Sequence, residues 1–176
     1  MDHAGTRPPD TVADGAGKHV TALYQAHALS LARLALLMLG DQAEAQDVVQ
    51  DAFLGLYRRW GTLASVEAAP GYLRASVLNG CRTALKRRSR PAVYPGGEEY
   101  LESAEALAIH TEEQRAVIAA VRRLPARQRE ALVLRYYLDM TEDQAAQAMR
   151  VSRGTVKSAT SRAIAAVGRM LKKEGS

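Results

Sequence analysis

Apolar residues recur at three- and four-residue intervals along nearly the whole chain, and no window alternates with a period of two between turn signals. That spacing puts apolar side chains on one stripe of a helix, whereas a half-buried strand needs alternation. Ala, Leu, Arg, Glu and Gln, all good helix formers, dominate the sequence. The chain is therefore expected to be all-α. With 176 residues, 47% of them hydrophobic but only nine aromatic, it can bury one medium core or two small ones.

Charge favours two small helical domains. The formal net charge of +5 divides into −2 for residues 1–17, +5 for 18–90, −4 for 91–110 and +6 for 111–176. Residues 1–17, with three aspartates among Gly, Ala and Pro, are expected to form a disordered tail. Residues 91–110 open on Pro and Gly and carry four glutamates without one Lys or Arg, the composition of a flexible acidic linker between two basic blocks.

Several function classes fall away. One cysteine, Cys81, allows no internal disulfide, and His3, His19, His27 and His110 lack metal-ligand spacing, so neither metal nor cofactor is expected. A reducing cytoplasm suits such a chain. The longest apolar stretch, residues 28–39, is broken by Arg33 and is shorter than the roughly 20 residues that span a bilayer. It is expected to be a buried helix, with no membrane partner. The N-terminus has no basic-then-apolar signal pattern.

The block 111–176 is punctuated by helix-start signals. Thr111 with Gln114, and Thr141 with Gln144, form capping boxes, in which hydroxyl and amide each satisfy an orphan backbone donor. Pro125 separates two helices, and the run ALVLRYYL after it is apolar enough to be central to the core. Asp139 and Met140 make the turn before Thr141. Ser152 is a good N-cap for a last helix that turns Val156, Ala159 or Thr160, Ala163 and Val167 inward. Arg153, Thr155, Lys157, Ser158, Ser161 and Arg162 are left outside. A helix presenting bases and hydroxyls from its first turns suits the major groove of duplex DNA. Arg150 occupies the turn position where such motifs usually place glycine for a left-handed backbone, at a cost of about 1 kcal/mol; either the turn geometry differs or a phosphate contact by Arg150 repays the strain.

The block 18–90 separates its charges. Residues 41–51 contain four acids and no base, while residues 74–90 contain six bases and no acid. On a helix over residues 42–59, Val48, Val49, Ala52, Phe53, Leu56 and Tyr57 make an apolar stripe, and Glu44, Asp47 and Asp51 line up beside Gln50. Without a partner histidine or a glycine-rich loop, these carboxylates suit the docking of a basic partner better than acid–base catalysis. A helix over residues 71–88 buries Leu73, Val77, Cys81 and Leu85 and turns its bases outward. Trp60, Tyr57 and Tyr72 bracket the loop before it, an arrangement suited to single-stranded DNA, whose bases stack on rings while its backbone follows positive charge.

Three motifs, DVVQDAFLGLYRRW, YLRASVLNGCRTALKRR and LPARQREALVLRYYLDMTEDQAAQAMRVSRGTVKSATSRA, occur in this order around the acidic linker. Together they resemble a bacterial RNA polymerase sigma factor of the extracytoplasmic-function (ECF) group, similar to actinobacterial members. The resemblance implies sigma region two over residues 18–90 and sigma region four over 111–176. It implies that Asp47, Gln50, Asp51 and Leu54 dock core RNA polymerase on the clamp helices of its β′ subunit, with the flap of the β subunit a second contact. It further implies that residues 63–71 capture a flipped base of the minus-ten element, with Trp60, Asn79, Arg82 and Lys86 along the melted strand. Arg153, Thr155, Lys157, Ser158, Ser161 and Arg162 would meet the minus-thirty-five element as duplex. Such a chain is no enzyme but a specificity subunit, and an anti-sigma factor is among the partners the group commonly has. Ala159, Thr83 and Arg150 depart from the common pattern, which bears on the promoter sequence and not on the class. The alternative reading keeps the helix-turn-helix and makes the protein a stand-alone regulator with a helical sensing domain.

Overall fold

The computed structural model describes residues 11–88 and 111–174. Seven helices carry the chain: α1 (Thr11–Leu39), α2 (Gln42–Arg59), α3 (Ala69–Arg88), α4 (Glu112–Arg122), α5 (Ala126–Leu132), α6 (Glu142–Met149) and α7 (Arg153–Glu174). No strand occurs among the described residues. The acidic linker expected over residues 91–110 lies outside them.

Local chemistry sets the ends of these helices. Asp41 caps α2, its carboxylate accepting from the Glu44 amide at 2.8 Å. Both expected capping boxes form, Thr111 with Gln114 at α4 and Thr141 with Gln144 at α6. Pro125, which has no amide hydrogen to satisfy, sits at the start of α5. After α5 the chain widens into one π-helical turn, Val133–Tyr137, which ends with the Leu138 amide donating to the Val133 carbonyl. Arg135 folds back onto the Met140 carbonyl and ties off the turn.

The N-terminal boundary differs from expectation. Residues 11–17 are not tail but the first two turns of α1, despite Gly15 and Gly17. Tertiary contact outweighs the weak helix propensity: Ala16 is buried, and His19 stacks on Trp60 with centroids 5.3 Å apart. The longer helix also changes the hydropathy reading, because Gly15–Leu39 is long and apolar enough to cross a membrane by length and composition. In the fold, α1 instead packs along α2 and α3, burying Leu31, Leu34, Ala35, Met38 and Leu39.

Helices α1 to α3 form one bundle, with Leu56, Leu73 and Val77 fully buried. In the second, α7 packs on α4, α5 and α6 around Leu134 and Val156. The two bundles lie against each other, and their buried side chains join in a continuous cluster. The seam is built on the C-terminal end of α1, whose last carbonyls have no partner within the helix. Arg88 of α3 donates to the Leu39 carbonyl, Arg129 of α5 to that of Met38, and Arg122 of α4 to that of Gly40. Three cations converge where the helix dipole is negative. Burial, and then the charges of Arg122 and Arg88, hold the Arg129 guanidinium below its ordinary pKa.

Candidate nucleic-acid interface

Helix α2 divides cleanly. Ala45, Val49, Ala52, Phe53 and Leu56 are buried, while Asp47, Gln50, Asp51 and Leu54 are all exposed. Their spacing of three, four and seven residues makes them one ridge along a single face. Leu54 is 52% exposed and follows Asp51 by three residues on this face. Two sequence expectations change here. Tyr57, expected inward, is 46% exposed and continues the ridge, and Glu44 leaves the acidic row to pair with Arg88.

On α3, Asn79 and Lys86 are exposed, whereas Arg82, expected to turn outward, is half-buried and reaches into the seam. The Asn79 side-chain oxygen accepts from Arg82 at 2.9 Å, while Arg82 Nε donates to Glu130 of α5 at 2.7 Å and Nη2 to the Ala148 carbonyl of α6 at 2.6 Å. All three residues line a cleft of about 630 Å³ between the bundles. Trp60 is elsewhere, its ring engaged by His19. Residues 63–68 are largely exposed, but residues 69–71, expected in the loop, are the first turn of α3, where Ala69 is fully buried.

The helix pair α6–α7 matches the expected geometry. The Ser152 hydroxyl accepts from the Thr155 amide at 3.1 Å and so caps α7. Val156, Ala159, Thr160 and Ala163 are buried, and Lys157, Ser158, Ser161 and Arg162 are exposed on the opposite side. Arg150 does take the left-handed conformation, at φ 55° and ψ 46°. Three of the expected contact residues have intramolecular partners, Ser158 among them, its hydroxyl donating to the Thr155 carbonyl at 3.0 Å. Arg153 donates to Glu142 at 2.8 Å and lies 3.8 Å from Asp143, and this hydrogen bond holds the Glu142 carboxyl below the usual range. Thr155 is half-buried, with its hydroxyl 2.9 Å from that of Ser152.

Sequence reasoning missed an apolar groove of about 400 Å³ at the seam. Val117 of α4, Tyr136 and Tyr137 of the π turn and Ile164 of α7 line it and are all exposed. The sequence of α4 gives no signal for it, because Val117, Ile118 and Val121 fall within one ordinary helical stripe.

Comparison with known proteins agrees with this layout. Residues 23–91 match the Sigma-70 region 2 family and residues 114–167 match Sigma-70, region 4. The chain is 34% identical over 137 residues to an RNA polymerase sigma-E factor of Streptomyces coelicolor, covering 77% of this chain and 76% of that one. It is 32% identical over 155 residues to the ECF RNA polymerase sigma factor SigM of Mycobacterium tuberculosis, covering 85% and 75%. Among solved structures it is similar to CnrH in complex with the cytosolic domain of CnrY, with TM-score 0.64 and 21% identity over 93% of this chain and 94% of that one. It is also similar to the sigma factor RpoE in complex with the anti-sigma factor NepR from Bartonella quintana, with TM-score 0.60 and 21% identity over 86% and 97%. At that identity the structures speak for the fold alone. Carrying both regions in order, and matched by relatives above 30% identity over most of its length, the protein belongs to the ECF group of sigma factors, which direct transcription initiation.

Proposed function

We propose that the chain acts as a dissociable specificity subunit in the cytoplasm, doing no bond chemistry itself. It binds core RNA polymerase through the α2 ridge of Asp47, Gln50, Asp51 and Leu54. The observation that carries this reading is the exposed Leu54 on the same face as Asp47 and Asp51, since an apolar anchor beside carboxylates suits a docking face for a basic helical partner. The groove of Val117, Tyr136, Tyr137 and Ile164 suits an apolar helix, and the flap of the β subunit is the partner assigned to it.

Promoter DNA is then read in two forms. Lys157, Ser158, Ser161 and Arg162 meet the minus-thirty-five duplex from α7, with Arg153 and Thr155 at its N-terminal end. Trp60, Asn79, Arg82 and Lys86 follow the melted minus-ten strand, with a base captured by the loop over residues 63–71. An anti-sigma factor such as the one bound to the RpoE neighbour would act by covering the ridge or the groove.

Gel filtration of the chain with bacterial core polymerase tests the docking face. Asp51→Arg is expected to weaken co-elution by roughly a hundredfold in affinity, because like charges at one contact cost several kcal/mol. Circular dichroism should be unchanged, since Asp51 is exposed. Co-elution equal to that of the wild type would remove Asp51 from the interface.

A further inference from the structure

The cleft of about 630 Å³ between the bundles holds more positive charge than its own acid can balance. Arg82, Lys86, Arg127 and Arg150 line it, and Glu130 is the one acid among the described residues that do so. That acid is already taken. Glu130 is 8% exposed and accepts from Arg82 Nε at 2.7 Å, which neutralises the pair and leaves the other cations in surplus. Arg127 and Arg150 are exposed and form no ion pair with a described residue. Arg150 reaches the cleft from a left-handed backbone at φ 55°, where any residue with a side chain costs more than glycine. Strain of this kind clusters at ligand clamps and switch regions. The remaining lining differs in kind. Leu85 of α3 and Met149 of α6 are apolar, and a flat ring packs well against a methionine sulfur. The Thr83 hydroxyl donates to the Asn79 backbone carbonyl at 2.9 Å and keeps its lone pairs for a donor, while the Asn79 side-chain oxygen accepts from Arg82 and leaves the amide to donate.

We propose that this cleft binds a nucleoside polyphosphate, with its phosphates on Arg127, Arg150 and Lys86 and its base against Leu85 and Met149. A guanidinium meets a phosphate with two parallel hydrogen bonds, so two arginines suit adjacent phosphates of one small ligand. The volume of the cleft lies within the range of pockets that enclose a whole small molecule, and a bare phosphate would leave the apolar lining uncovered. Glu130 is held by Arg82, so no carboxylate of the lining remains for a magnesium ion, and the arginines meet the phosphate charge themselves. The ligand touches α3 of one bundle and Arg127 and Arg150 of the other, and so ties the two together. This goes beyond the part the chain plays in transcription initiation, and the outcome of its test leaves that part untouched.

The test is isothermal titration calorimetry of the full chain at low salt with EDTA present. The probes are ATP and GTP, compared with inorganic pyrophosphate, with adenosine and with a single-stranded DNA of about ten nucleotides, a length within the site sizes of strand-binding folds. ATP or GTP is expected to bind with one-to-one stoichiometry, about tenfold or more tighter than pyrophosphate or adenosine, and to raise the thermal midpoint as its concentration rises. Arg150→Gly keeps the left-handed turn, so the variant chain without ligand is expected to melt higher than the wild type while binding the nucleotide about tenfold more weakly, the lower end of what a charge-assisted hydrogen bond contributes. Arg127→Gln is expected to weaken binding to a similar degree. Arg169→Gln, at an exposed base of α7 outside the cleft, is expected to leave it unchanged. Pyrophosphate bound as tightly as the nucleotides would overturn the proposal, because the apolar lining would then contribute nothing. An equal loss in Arg169→Gln would also overturn it, as a general charge effect. DNA binding that Arg150→Gly weakens, with no binding of ATP or GTP, would give the cleft to nucleic acid instead, and no binding of either nucleotide would leave it without the ligand proposed. The comparison of probes on the wild-type chain decides the matter even if a variant does not fold.

Discussion

Arg150 shows how far one residue can be read in advance. Its place after α6 left open either an altered turn or a strained left-handed one, and φ 55° shows the left-handed turn without the glycine that would ease it. Arg150→Gly is expected to stabilise the fold by about 1 kcal/mol in urea denaturation; a loss of stability would mean that the side chain contributes more than the strain costs. Asp139, at φ 50°, is a second such position that only the structure revealed. Cys81 is the converse case, where burial alone decides the chemistry. Desolvation, more than any neighbouring charge, pushes its thiol up from 9.0 to about 12. The native chain should therefore resist alkylation at pH 8 and react only when unfolded. A thiol whose folded pKa is raised favours folding fully below pH 9.0 and loses that contribution as pH climbs toward about 12. Rapid native-state alkylation would contradict the buried placement.

Among the elements, those defined by short-range chemistry were legible. Helix α2 spans Gln42–Arg59 as its stripe implied, and the capping boxes join residues three apart, so local sequence contains both halves of each bond. The start of α1 was hidden, because Ala16 and His19 are held by tertiary contacts that its Gly- and Asp-rich sequence does not announce. The approach of α2 to α3 was also hidden. A Cβ on Gly80 would come within 2.7 Å of Val48 Cγ1, and a β-branched valine has little rotamer freedom to yield. Gly80→Ala is expected to destabilise the protein by about 1–3 kcal/mol in denaturant titration, despite alanine being the better helix former. An unchanged midpoint would show that the two helices separate easily.

At the scale of the whole molecule, sequence supplied the order of parts and not their arrangement. The two basic blocks and their motifs were readable, yet the seam depends on Arg82 with Glu130, 48 residues apart, and on Arg129 with Met38, 91 apart. No periodicity or motif encodes such pairs. The seam matters because it engages Arg82, one of the residues proposed above to meet DNA. The direct measurement is transcription by core polymerase from a pool of promoter-length randomised duplexes, mapping RNA start sites with and without the chain. New start sites should appear only when chain and core are combined. With Lys157→Ala they should diminish, and the salt dependence of duplex binding should flatten by about one unit of slope if Lys157 meets a phosphate. Specific duplex binding by the chain alone, with no start sites that depend on adding it to core polymerase, would contradict the account and leave a stand-alone regulator in its place.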